Sequence, residues 1–156
     1  MCIRDRIIAQ ARARGLETKF LGTDAWESQE FLEEGGQALE GAVFTCYFDA
    51  DSGVTETTEV FLKAYREKYG EEALPTEAEA LAFDAYLLAV SALENGGSAE
   101  GEAVRDALAA TSNFQGATGS ITWDGNGDPI KSVSFKTVKD GAFVFLYTAE
   151  PQWGKQ

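Results

Sequence analysis

The chain has 156 residues, 44% of them hydrophobic, and a formal net charge of -13; this is enough apolar material for one ordinary domain and is not a disordered composition. So acidic a surface repels phosphate backbones and anionic lipid, which argues against nucleic-acid and membrane-surface partners. The sequence contains no His, so Ser/His/Asp and Cys/His catalysis are excluded, and zinc lacks its usual ligands.

Met1 to Arg6 carries no apolar signal core and runs straight into a helix-like pattern, so if the protein is exported its signal is expected upstream of this segment. Met1–Asp5 is set aside as an uncertain start. Ile7, Ile8 and Ala11, followed by Arg12, Arg14 and Gly15, predict a short helix stopped at the glycine. Phe20-Leu21-Gly22 predicts a short buried strand and Thr23-Asp24 a turn. Trp26 to Glu34 predicts a second helix ended by Gly35-Gly36. Gly41 to Phe48 is rich in Val, Phe, Thr and Tyr and predicts a strand, with Cys46 inside it as a buried free thiol. Cys2 has no partner motif. Helix and strand alternate here, which argues for parallel pairing in an α/β sheet.

Asp49 to Gly53 is turn-like. Val60, Phe61, Ala64, Tyr65 and Tyr69 recur at helical spacing up to Gly70. Thr76 and Glu79, at capping-box spacing, open a long helix. Its Ala78, Leu81, Ala82, Ala85, Leu88, Ala89 and Ala92 form one apolar face, and Phe83, Tyr86, Val90 and Leu93 another, so the helix is expected between two layers of core. The apolar stretch from Ala80 to Leu93 is shorter than the roughly 20 residues that span a bilayer, which argues against membrane insertion. Asp84 is the one charge inside that stretch, and a structural hydrogen-bonding role is expected for it. Ser98 is the expected cap of a further helix through Val104, Ala107 and Leu108.

The last third changes character. Ser120 to Trp123 predicts a strand and Asp124-Gly125-Asn126-Gly127-Asp128 a turn. The turn invites a calcium reading, but the sixth and twelfth loop positions hold Pro129 and Phe135 where an EF-hand needs Gly and Glu, so no metal is expected. Val133, Phe135 and Thr137 alternate with Ser132, Ser134 and Lys136, predicting a half-buried strand on its apolar phase. Asp140-Gly141 predicts a hairpin to a return strand, Ala142 to Tyr147. The fold class is α/β, with parallel sheet elements plus a C-terminal antiparallel hairpin.

The order of these parts resembles a known family. RIIAQARARGLETKFLGTDAW, then GQALEGAVFTCYF, then the triplet Phe83-Asp84-Ala85 in an Ala-rich helix, EAVRDALAAT, and the run from Phe114 to Asp128 together resemble the branched-chain amino-acid-binding and amide-binding solute receptors of ABC transporters. The resemblance covers roughly residues 6 to 151. It implies a partial, two-lobed periplasmic-binding-protein type I fold, with ligand held between the lobes. Residues 6–48 and 136–148 would belong to the second lobe, 52–134 would complete the first, and 149–156 would be a tail. Full-length members are more than twice this length, so most of the first lobe and part of the second would be missing.

Ligands of open α/β sheets bind beyond the carboxyl ends of strands, which is where Thr23-Asp24 follows the first strand. The resemblance places at Asp24 an acid that pairs with a ligand's α-ammonium. A cation entering a closed cleft needs such a partner to offset its desolvation. Capping of the next helix, with Glu27 at capping-box spacing, is the competing role. Thr45 and Tyr47 stand near the end of the next strand, where cleft lining and strand-end packing both fit. Trp26 suits packing on its own lobe or shielding of an apolar ligand group. Thr23, Asp24 and Tyr47 form the candidate ligand-binding set. Glu27, Glu30, Glu33 and Glu34 read as a solvated face.

The implied function is non-catalytic capture of an amino acid or amide in the periplasm or another extracytoplasmic space. No cofactor is expected, and the implied partners are the ligand and the permease subunits. Two other readings remain: a ligand-sensing domain on the same fold, and a small enzyme pairing Asp24 with Asp49 or Asp51.

Overall fold

The computed structural model describes residues 3–51 and 55–151, with side chains from Arg6 onward. Cys2, Ser52 and Gly53 of the predicted turn, and the predicted tail beyond Pro151 lie outside the described residues. The chain divides into two compact units. The first takes the described residues up to Cys46 together with Val133–Ala149; the second takes those from Tyr47 to Ser132 and from Glu150 on.

The first unit holds helices α1 (Ile3–Ala13) and α2 (Gln29–Gly35), 3-10 turns at Asp24–Trp26 and Gly36–Leu39, and strands β1 (Leu21–Gly22), β2 (Val43–Cys46), β6 (Val133–Lys139) and β7 (Ala142–Ala149). The sheet runs β1-β2-β6-β7. β1 and β2 are parallel, as the alternation of elements requires, and β6 and β7 are antiparallel additions. The β6–β7 turn is the predicted two-residue hairpin, with Asp140 at φ 53° and Gly141 at φ 75°. Positive φ at both positions matches the right-handed twist of the strands.

One face of this sheet is packed. Register places Gly22, Phe44, Lys136 and Phe145 in one row across the four strands, and Cys46, Ser134 and Thr148 in the next row of the same face. Phe44 touches Trp26 and Phe143. Ile8, Phe31, Leu39 and Val138 form the core below them. Cys46 is the buried thiol that the sequence implies.

The other face carries Leu21, Val43, Thr137 and Val144 in one row, and Thr45, Phe135 and Tyr147 in another. Leu21 is 78% exposed and Tyr147 53%. The short strand expected to be buried is therefore an edge strand with its side chain outward. The phase of β6 is also the reverse of the expected one. Ser134, Lys136 and Val138 are buried, while Val133, Phe135 and Thr137 are half-buried. The helices cover the polar phase, and its polar groups are matched: Ser134 Oγ lies 3.0 Å from Thr148 Oγ1, and Lys136 has an ionic partner described below.

The second unit holds α3 (Glu56–Tyr69), α4 (Glu77–Gly96), α5 (Gly101–Ala109) and a small antiparallel sheet of β3 (Phe114–Gly116), β4 (Gly119–Trp123) and β5 (Pro129–Ile130). Its core is Phe48, Phe61, Leu62, Ala80 and Ala117. Thr76 opens α4 as expected, its backbone N–H donating to Glu79 Oε2 at 2.6 Å. α4 is not sandwiched. Ala80, Asp84, Leu88 and Ala92 are buried on one stripe, whereas Ala78, Ala82, Ala85 and Ala89 are exposed and Tyr86 is 64% exposed. Ser98 is not the cap of α5. Glu100 takes that place, and Ser98 Oγ accepts from the Glu100 N–H.

Asp84 has the structural role expected of it. Its carboxylate is buried and accepts from Ala117 N at 2.5 Å, Thr118 N at 2.9 Å and Thr118 Oγ1 at 2.6 Å. From the other side, three threonines at the start of α3 donate to carbonyls of the same segment: Thr57 to Gln115, Thr55 to Gly116 and Thr58 to Ala117. The segment from Gln115 to Thr118 is thus held through its N–H groups by α4 and through its carbonyls by α3. Buried backbone groups that lack ladder partners need such side-chain ones.

The run from Asp124 to Asp128 is a turn. Asp124 Oδ1 accepts from Asn126 N at 2.7 Å and from Asp128 N at 2.9 Å. Hydrogen bonds from the Asp128 and Asn126 backbone hold its carboxyl below the usual 3.8. A depressed folded value means the turn gains stability above the unfolded carboxyl value and loses it as pH falls through the folded one. An NMR titration should therefore show the Asn126 and Asp128 amides shifting with a midpoint below 3.8. A midpoint at or above that value would remove the proposed bonding.

Candidate functional site

The carboxyl edge of the first unit's sheet is where its chemistry gathers. β1 and β2 run parallel and end there, Gly22 lying level with Phe44. β6 is antiparallel to β2 and begins at the same edge, with Ser134 opposite Cys46. β7 ends there too, Ala149 opposite Val133. The chain therefore leaves or enters this unit three times at one edge, and Thr23-Asp24 emerges at that edge. The carboxyl ends of strands in α/β sheets are the usual ligand side.

A close approach shapes the Thr23–Trp26 turn. A Cβ on Gly22 would stand 2.2 Å from the Trp26 ring. Only glycine lets the indole fold back beneath the strand, where it packs on Phe31 and Phe44 at centroid distances of 5.2 and 6.4 Å. Trp26 therefore packs on its own unit. The helix expected from Trp26 onward is broken in two. A 3-10 turn covers Asp24–Trp26, and α2 starts afresh with Ser28 as its cap, Oγ accepting from Phe31 N at 3.2 Å.

That break settles the competing role of Asp24. Ser28 caps α2. Thr23 and Asp24 are both exposed. The Asp24 carboxylate accepts no hydrogen bond from the described residues, so its charge is available to something else.

Glu27 does not join Glu30, Glu33 and Glu34 on an exposed face. Its Oε1 lies 2.5 Å from Lys136 Nζ, and the side chains are 7% exposed for Lys136 and 20% for Glu27. Glu27 Oε2 is buried with no partner among the described residues. Sequence reading missed this pair. A signal was present in Val138, a strong core residue in phase with Lys136 rather than with Phe135.

Tyr47 belongs to the second unit, whereas Thr23 and Asp24 belong to the first. It is half-buried, with Lys131 Nζ 5.1 Å from its ring centroid. Lys131 also donates to Thr118 Oγ1 at 2.5 Å. Burial pulls the Lys131 ammonium below its usual value, opposed by the charges of Asp84 and Glu77. Thr45 lies in β2 beside Phe135, on the partly exposed sheet face. Asp49 Oδ1 accepts from Asp51 N at 2.8 Å, a local turn bond in the second unit. Among the described residues there is no group of three or more His, Cys, Asp or Glu side chains able to hold a metal. No described helix is long and apolar enough to cross a membrane.

Comparison with known proteins gives a consistent answer. Residues 6–142 match the family model described as periplasmic binding protein. No curated protein matches the chain. Among solved structures, the leucine-binding protein LivK of Thermotoga maritima is 36% identical with a TM-score of 0.85, over 94% of this chain and 41% of that one. LivJ of Streptococcus pneumoniae, a branched-chain amino-acid transporter substrate-binding protein in complex with isoleucine, is 27% identical with a TM-score of 0.73, over 91% of this chain and 41% of that one. An ABC transporter substrate-binding protein of Desulfitobacterium hafniense in complex with Leu is 26% identical with a TM-score of 0.73, over 90% of this chain and 39% of that one. The chain thus spans about two fifths of the length of the structures it matches. With its parallel β1–β2 core, its partial α/β architecture and a match from Arg6 to Ala142, this chain belongs to the periplasmic binding protein family.

Proposed function

We propose that this chain is the C-terminal part of an extracytoplasmic solute-binding protein that delivers an amino acid, of branched-chain type, to the permease of an ABC transporter. The observation that carries the reading is Asp24: an exposed carboxylate at the carboxyl end of the parallel β1–β2 pair, with no hydrogen-bond donor on it among the described residues. An α-ammonium entering a water-poor site needs an anion whose hydrogen-bonding capacity is unspent. The similarity to leucine- and isoleucine-binding proteins supports the choice of ligand. The relatives named above are binding proteins, and we read this chain as non-catalytic.

In this reading the first unit is the larger part of the second lobe, and the second unit completes the first lobe. Thr23 would contribute its hydroxyl beside Asp24. Tyr47, with its ring against Lys131, would line the ligand site as an aromatic surface. The permease is the partner that recognises the loaded form.

The test is a calorimetric titration of the full-length protein with leucine. Asp24→Ala is expected to weaken binding about 100-fold, or about 2.7 kcal/mol. N-acetyl-leucine, which lacks the ammonium, should bind weakly to both forms and ignore the substitution. Unchanged leucine affinity in Asp24→Ala would refute the role.

A further inference from the structure

We propose that Glu27 and Lys136 are positioning residues for the ammonium subsite at Asp24, an inference that rests on the ligand reading of Asp24 given above. The turn that carries Asp24 cannot hold itself in place. It is three residues long, none of them buried, and its internal bonds are Trp26 N to Thr23 O at 3.1 Å and Glu27 N to Asp24 O at 3.2 Å. An isolated turn of this length is not stable in water. Two side chains that follow Asp24 and Ala25 tie it to the rest of the unit. The Trp26 indole lies under Gly22. The Glu27 carboxylate is tied to Lys136 in β6.

β6 is an interior strand, hydrogen-bonded to β2 and β7. Lys136 stands opposite Phe44, which is 1% exposed. The ammonium is thus carried by an interior strand packed on the unit's core. A buried ion pair is no better for stability than a well-packed apolar pair of equal volume. What it adds is direction, because a charge-assisted hydrogen bond fixes both partners in angle and distance. Here the fixed partner is three residues from Asp24. The pair also offsets the Glu27 charge, so that Asp24 presents the unopposed negative charge of the turn.

The pair separates positioning from stability, and this makes it testable. The net-charge-conserving double variant Glu27→Leu with Lys136→Met is made in the full-length protein, with Asp24→Asn as control and leucine as probe. The double variant should melt at or above the native temperature, bind leucine about tenfold more weakly, and exchange the backbone amides at positions 26 and 27 faster than the native protein does, with those of Val43–Cys46 unchanged. Leucine affinity within about twofold of native, in a background where Asp24→Asn weakens binding, overturns the positioning role while leaving Asp24 in place. Undiminished binding in Asp24→Asn overturns the ligand reading itself. Should the double variant fail to fold, Glu27→Gln read by amide exchange decides: faster exchange of the backbone amides at positions 26 and 27 than in the native protein supports the role, and native protection there overturns it.

Discussion

Replacing Asp84 by Ala is expected to lower the stability of the second unit by about 3–5 kcal/mol. The carboxylate is 2% exposed and accepts three hydrogen bonds, two of them from backbone N–H groups that belong to no strand ladder. Ala would leave those donors buried and unsatisfied, and would open space where the carboxylate stood. It would also remove the anion whose charge raises the Lys131 ammonium against burial. Asp84→Asn keeps the volume but sets an amide NH2 against a donor, so it should lose about half as much. Urea denaturation followed through Trp123 fluorescence gives the measurement. A loss below about 1 kcal/mol for Asp84→Ala would mean that the clamp adds nothing beyond an ordinary hydrogen bond. The same geometry explains Gly116, where a Cβ would lie 2.5 Å from Asp84 Oδ2; the strand approaches the carboxylate more closely than any side chain permits.

Gly22→Ala should destabilise the first unit by about 1–3 kcal/mol and weaken leucine binding with it. The added methyl would overlap three atoms of the Trp26 ring, at 2.2, 2.2 and 2.5 Å. The ring has little room to retreat, since Phe31 and Phe44 flank it and both are essentially buried. Relief must come from rotation of the indole or a shift of the Thr23–Trp26 turn, and either one moves Asp24. Denaturation and leucine titration of the same variant check both effects. Native stability together with native affinity would show that Trp26 does not lock the turn.

Much of the architecture was legible because local patterns and tertiary demands agree. The helical spacing of Phe61, Ala64, Tyr65 and Tyr69 is met by α3, and the Thr76–Glu79 cap by α4. Asp140-Gly141 makes its hairpin because few other pairs tolerate positive φ twice. Asp84 stood out as one charge in an apolar run, and such a charge requires partners. Other expectations failed at places where local pattern and tertiary demand part. Trp26 and Glu27 looked like the first turn of a helix. The indole instead folds back under Gly22, and Ser28 caps the helix that follows. Ser134 and Lys136 looked like the solvent phase of β6.

What the chain determines by itself is the order and type of its elements, the turns set by backbone chemistry, and the position of Thr23-Asp24 after a first short strand. These depend on residues near one another in sequence, where periodicity and φ preferences act directly. Tertiary structure alone decided which phase of β6 is buried, whether Asp24 caps a helix, and that Glu27 meets Lys136 across 109 positions. Alternation states that a strand has two faces but not which one the helices cover. A lysine reads as solvated until the fold supplies an anion, and that anion comes from a segment no local pattern connects to it.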